Sequence, residues 1–243
     1  MSRVTNVRER PPDGTAASHP GIEEGGPDRR RIGYAAWSVA PSEGDAAGRQ
    51  AIPFAPRSGG RARCSFAQEQ FWFVDQLTPG NLAHNFSWPV RLRGPLDVDA
   101  LSRALGEVVR RHEALRTGFA VEDGEPTQVI SAPEAFALDN IDVSRDVDPE
   151  GAARRLVEEE TRRPFDLRER GLFRARLIRL ADRDHILHLV VHHIVFDEWS
   201  KVVLYRELGA LYDAYAAGDS TLLADPALQY ADVAEWQRSH LTE

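Results

Sequence analysis

Apolar positions between residues 64 and 243 recur with two different periods, and their succession predicts helices layered on a sheet. Ser65 stands before Phe66-Ala-Gln-Glu-Gln-Phe-Trp-Phe-Val-Asp-Gln-Leu77, and a serine followed three residues later by Gln68 is the pattern of a helix N-terminal capping box. Pro79-Gly80 stops that helix. Residues 84–93 alternate, with Phe86, Trp88, Val90 and Leu92 on one face, as a half-buried strand does, and Gly94-Pro95 ends it. Asp97 caps an amphipathic helix whose stripe is Leu101, Leu105, Val108 and Val109.

Residues 116–121 and 127–131 read as a hairpin with Asp123-Gly124 as its turn. A charged helix over 149–163 stops before Pro164. Two strands are expected at 172–180 and 185–196. The second is apolar on both faces and therefore central in its sheet. A long helix from 198 to 215 ends at Gly218. The fold class is α/β in the layered α+β sense, helices packed on a mixed sheet.

Residues 1–63 break this regularity. They hold 9 of the 18 glycines and 7 of the 15 prolines, and their apolar residues are too scattered to offset the entropy of folding. They read as a disordered Gly/Pro-rich extension, leaving 64–243 as the folded unit. The net charge of −8 argues against nucleic acid as the main partner. The lone Cys64 allows no internal disulfide, and no apolar run nears the length of a membrane span. A cytoplasmic location is expected, with no membrane partner.

The chemistry concentrates where four of the eight histidines fall, in His185-Ile-Leu-His-Leu-Val-Val-His-His-Ile-Val-Phe-Asp-Glu-Trp-Ser200. On a strand, His188 and His192 are about 13 Å apart at roughly 3.3 Å per residue, too far to share a tetrahedral zinc, so no metal site is expected. His192 and His193 would point to opposite faces of the strand. Asp197, at the strand-to-helix junction, has two open roles: N-cap of the following helix, or a carboxylate that fixes the tautomer of a catalytic histidine. Ser200 lacks the Gly-x-Ser-x-Gly elbow of a hydrolase nucleophile.

His192-His193-Ile-Val-Phe-Asp197-Glu198-Trp199-Ser200 resembles the His-His-x-x-x-Asp-Gly motif of condensation domains in nonribosomal peptide synthetases, within the chloramphenicol-acetyltransferase-like superfamily. Three more stretches agree in order. Ser65-Phe-Ala67-Gln68-Glu-Gln-Phe71-Trp72 is similar to the opening Ser-x-Ala-Gln-x-x-x-Trp motif. Arg111-His112-Glu113-Ala-Leu115-Arg116-Thr117-Gly-Phe119 is similar to Arg-His-Glu-x-Leu-Arg-Thr-x-Phe, and Gln229-Tyr230-Ala-Asp232-Val-Ala-Glu-Trp236 to Tyr-x-Asp-x-x-x-Trp.

The resemblance implies a single lobe of a two-lobed fold, and a reaction that joins an upstream acyl or peptidyl thioester to a downstream amine. Both substrates would be carried on the phosphopantetheine of carrier proteins, with no cofactor bound directly. It implies His193 at the reacting centre, His192 in support of strand and loop, and Asp197 as a structural residue paired with Arg111 or Arg116. Glu198, Trp199 and Ser200 would border the substrate channel, and Trp72, Tyr230 and Trp236 would serve packing.

Two departures stand out. Glu198 occupies the family's glycine position, adding bulk and charge where glycine permits close approach. The family's second-lobe motifs have no counterpart before Glu243. Three functional readings follow. The chain could be a catalytic half that is completed by a second lobe in another chain or by self-association. It could be a non-catalytic interaction module beside other synthetase modules, or a free-standing acyl-CoA-type acyltransferase. A missing lobe should leave an apolar face exposed.

Overall fold

The computed structural model describes residues 52, 60–219 and 223–241. Seven strands and five helices are formed in it. They are β1 (Arg61–Arg63), α1 (Phe66–Leu77), β2 (Asn85–Arg93), α2 (Val98–Arg111), β3 (Thr117–Glu122), β4 (Glu125–Ile130), β5 (Asp139–Asp142), α3 (Pro149–Thr161), β6 (Phe173–Ala181), β7 (Asp184–His192), α4 (Glu198–Ala216) and α5 (Tyr230–His240). Short 3-10 turns lie at Leu82–His84, Glu113–Arg116 and His193–Val195.

The expected caps form. The Ser65 side chain accepts from the Gln68 backbone while the Gln68 side chain accepts from the Ser65 backbone, completing the capping box. Asp97 accepts from Ala100 N–H at 2.9 Å. Asp123 (φ 51°) and Gly124 (φ 86°) both take left-handed backbone and close the β3–β4 hairpin in two residues, the geometry that matches strand twist.

The strands make two sheets. One has the order β1-β4-β3, all antiparallel; the other has the order β2-β7-β6-β5, with only the β5–β6 pair parallel. β7 is central, as its two apolar faces require: Leu187, Leu189, Val190 and Val191 are all buried. The main core joins these residues to Leu101, Leu105 and Val108 of α2 and to Leu204, Leu208 and Leu211 of α4. A second cluster of Val143, Ala152, Ala153, Ile178 and Leu180 seats α3 on the other side of the sheet.

Three boundaries differ from expectation. The folded unit begins before residue 64, because Arg61–Arg63 pair with Thr127–Val129 as an edge strand. The remainder of the expected extension lies outside the described residues, apart from Ile52 and Gly60. β5 was not expected; four residues with a single half-buried position, Ile141, carry no clear alternation. The strand expected over 185–196 stops at His192, where the 3-10 turn His193–Val195 takes over.

Candidate active site at the end of the central strand

β7 delivers three histidines into the protein's interior. His185, His188 and His192 are all buried. His188 Nε2 lies 2.8 Å from Ser87 Oγ, which in turn is 2.6 Å from Thr161 Oγ1. Burial lowers the His188 pKa to about 4. This is a core histidine.

His192 ends the strand by its own chemistry. Its Nδ1 accepts the backbone N–H of Ile194 at 3.1 Å, so the imidazole caps the 3-10 turn His193–Val195 and offers the chain an alternative to continuing the ladder. With Nδ1 accepting, the ring is neutral and its proton sits on Nε2. Burial, then the neighbouring His84 and His193, bring its pKa down to about 4. His192 Nδ1 thus holds the start of the turn that follows the strand.

His193 is not on the strand, so the expectation of opposite strand faces is corrected: it opens the 3-10 turn. Its half-buried ring stacks on Phe71 of α1, with centroids 4.8 Å apart and planes at 23°. Phe86 of β2 lies 4.5 Å away at 50°. Among the described residues, no hydrogen bond or ion pair holds either ring nitrogen of His193. His84 joins the same cluster, edge-on to Phe71 at 5.0 Å and 6.0 Å from the His192 ring. Sequence reasoning passed over His84, Phe71 and Phe86 as site residues. The only signal was that Phe71 lies in the first motif and that His84 and Phe86 flank the start of β2.

The expected partner of Asp197 is also corrected. Asp197 is the N-cap of α4: it accepts from Ser200 N–H at 2.7 Å and from the Ser200 hydroxyl at 2.6 Å. Neither arginine reaches it. Arg111 is buried and donates through Nε to Glu207 at 3.0 Å, and through its other nitrogens to the carbonyls of Leu223 and Ala224 at 3.1 and 2.8 Å. His112 Nε2 lies 2.8 Å from the same Glu207 oxygen. Burial alone would raise the Glu207 pKa, but the hydrogen bonds and charges of Arg111 and His112 outweigh it and hold the carboxyl below its ordinary value. Arg116 donates to the Ser131 carbonyl and lies 3.7 Å from Glu113. Glu198 is exposed and pairs with Lys201 at 3.1 Å, and Trp199 is exposed on the same helical turn.

The four motifs meet through long-range hydrogen bonds. Gln68, buried on α1, donates to Gln128 Oε1 at 3.2 Å and to the Ile194 carbonyl at 3.5 Å, touching the turn that carries His193. The Gln229 side chain accepts from Glu113 N–H at 3.0 Å and donates to the Arg111 carbonyl at 2.9 Å. Tyr230 and Ser65 share a hydroxyl contact of 2.9 Å. Trp236 stacks on His240 at 5.1 Å. The second and fourth motifs are thus braces.

The condensation-domain family model matches residues 60–243, the span that holds all four motifs and the histidine-bearing turn. The chain belongs to the condensation-domain family. It is 43% identical over 210 residues to a linear gramicidin synthase of Brevibacillus parabrevis, covering 85% of this chain and 4% of the relative. It is also 43% identical over 195 residues to the phosphinothricin tripeptide synthetase PhsC of Streptomyces viridochromogenes, covering 79% of this chain and 18% of that one. Among solved structures, the first condensation domain of the CDA synthetase superposes with a TM-score of 0.68 at 28% identity, over 75% of this chain and 47% of that one. The X-domain of teicoplanin biosynthesis, solved in complex with OxyB, matches with a TM-score of 0.68 at 33% identity, over 80% of this chain and 41% of that one. The chain spans a small part of its curated relatives and less than half of the solved domains.

Among the described residues, no group of three or more His, Cys, Asp or Glu side chains is placed to hold a metal ion. No helix among them is long and apolar enough to cross a membrane.

Proposed function

We propose that this chain is the histidine-bearing lobe of an acyltransferase that forms amide bonds between carrier-protein-bound thioesters in nonribosomal peptide synthesis. One observation carries the reading: His193, alone of the motif histidines, is half-buried with both ring nitrogens uncommitted among the described residues. A neutral imidazole accepts a proton near pH 7.

In the reaction, the amine nitrogen bonds to the acyl carbon and the carbon–sulfur bond breaks. The proton lost by the amine passes to the departing thiolate, with His193 receiving or orienting it on the way. Holding two phosphopantetheine-tethered reactants beside one imidazole replaces a bimolecular encounter by an intramolecular one. No cofactor is needed for this chemistry. Asp197 and His192 shape the turn, and Glu198, Trp199 and Ser200 border the approach to it. The site works with a second lobe packed against this one, and self-association is one way to supply it. In support, Phe73 and Leu77 of α1 and Trp199 and Val202 of α4, all apolar, are exposed on the two helices nearest the turn.

The test is His193→Ala in an assay reconstituted with carrier proteins. Product formation should vanish while the unfolding midpoint stays put; undiminished product would overturn the assignment. Light scattering over a range of concentrations tests self-association, and a monomer throughout would exclude it.

A second reading rests on Glu198. A paired carboxylate stands where the family has glycine, and the similar X-domain is known in complex with OxyB. In that reading the lobe recruits a protein partner. Glu198→Gly separates the two, since it should raise turnover if the carboxylate obstructs a substrate and leave turnover at zero if the lobe only recruits.

A further inference from the structure

We infer that Phe71 is a positioning residue that fixes the plane of the His193 imidazole, so that this histidine is oriented by an aromatic face rather than by a carboxylate. The inference rests on the proposed role of His193 and deepens it.

A histidine that moves protons needs one ring nitrogen aimed at the reacting atom, and such rings are ordinarily oriented by a hydrogen bond to the other nitrogen. Here that bond has no provider among the described residues. Asp197, the only carboxylate of the motif besides Glu198, bonds to Ser200, and Glu198 bonds to Lys201. What does touch the ring is aromatic. Phe71 covers one face with centroids 4.8 Å apart and planes 23° from parallel, and Phe86 leans on it at 4.5 Å and 50°. A ring held by its faces cannot rotate about its Cβ–Cγ bond without driving an edge into Phe71, whereas both nitrogens, at the ring's edge, stay uncovered by the stack.

The helix bearing Phe71 is itself pinned to the turn. Gln68 lies three residues earlier on α1, on the same face, and its amide reaches the Ile194 carbonyl at 3.5 Å. The capping box at Ser65 and the contacts of Arg238 with the Cys64 carbonyl and Glu69 set where α1 starts. His84 stands edge-on against Phe71 at 5.0 Å and keeps it from turning away. Stack, helix and turn thus move as one unit, and a displacement of the order of 1 Å is enough to cost about a hundredfold in a positioned reaction.

The experiment compares Phe71→Leu and Phe71→Trp with the unchanged protein, as the full chain with its carrier-protein partners. Phe71→Leu keeps apolar bulk but removes the flat face; kcat should fall about 10- to 100-fold with KM changed less than twofold, and Phe71→Trp should restore most of it. In parallel, proton NMR of the His193 ring, assigned by its loss in His193→Gln, should show resonances moved upfield by the stacked ring and returning downfield in Phe71→Leu. Unchanged kcat and unchanged ring resonances in Phe71→Leu would overturn the inference. An active His193→Ala protein would instead overturn the functional reading beneath it, and the NMR shift would still report whether Phe71 holds the ring.

Discussion

The Asp197 carboxylate takes both the backbone N–H and the hydroxyl of Ser200, at 2.7 and 2.6 Å, so the acid of the His-His-x-x-x-Asp motif works inside the first turn of α4. Its negative charge also sits at the positive end of a 19-residue helix. Asp197→Ala should therefore lower stability by about 1 kcal/mol, the usual cost of losing an N-cap, and reduce activity by loosening the turn. Asp197→Ser should recover most of the stability. Denaturant unfolding of the two variants measures this, and an Asp197→Ala midpoint equal to the parent's would point to direct chemistry instead.

Arg111 and Glu207 form a buried pair, and losing Arg111 leaves the Glu207 carboxylate with only the His112 imidazole beside it. Arg111→Ala should cost about 3 to 5 kcal/mol. Arg111→Lys should rescue it poorly, because a single ammonium cannot serve Glu207 and the two carbonyls of Leu223 and Ala224 together. Urea unfolding decides; a loss below about 1 kcal/mol would show that the pair is not what joins α2 to α4.

Stability should fall as the solution is acidified below the ordinary histidine pKa. His188 and His192 are both lowered from 6.5 to about 4. Between those values the unfolded chain binds protons that the folded chain does not. Their contribution is fully present above pH 6.5 and is lost as pH falls toward 4, each histidine adding up to about 1.4 kcal/mol per pH unit within that window. Urea midpoints at pH 7.5, 6 and 5 should decline accordingly. His188→Asn should flatten the decline, and an equally steep one would remove His188 as its source.

Gly118 lies where a Cβ would meet the Glu169 carbonyl oxygen at 2.6 Å, while the next residue, Phe119, donates its N–H to the Leu167 carbonyl at 2.7 Å. Gly118→Ala should push the 165–171 segment off the β3 edge and cost about 1 to 3 kcal/mol. Faster hydrogen exchange at Phe119 in the variant would register the displacement, and unaltered exchange would contradict it.

Most elements were legible because their signals are local. Ser65 and Gln68, Asp97 and Ala100, and Asp123 with Gly124 act within three positions of one another, and the central place of β7 follows from the apolar residues on both its faces. The site was legible only as a motif. That His192 would end the strand could be read in neither its hydropathy nor its spacing, because the cause is one imidazole nitrogen accepting a backbone N–H two residues on.

The sequence alone determined the layered α/β class, the caps, the hairpin and the His-His-x-x-x-Asp motif. Tertiary structure alone decided which residues surround that turn. Gln68 meets Ile194 across 126 positions and Arg111 meets Glu207 across 96, contacts that depend on where whole helices dock against the sheet. A window of a few residues specifies a helix and its buried face. It does not specify the opposite surface, so Phe71 reads as one more core aromatic until α1 is seen lying over His193.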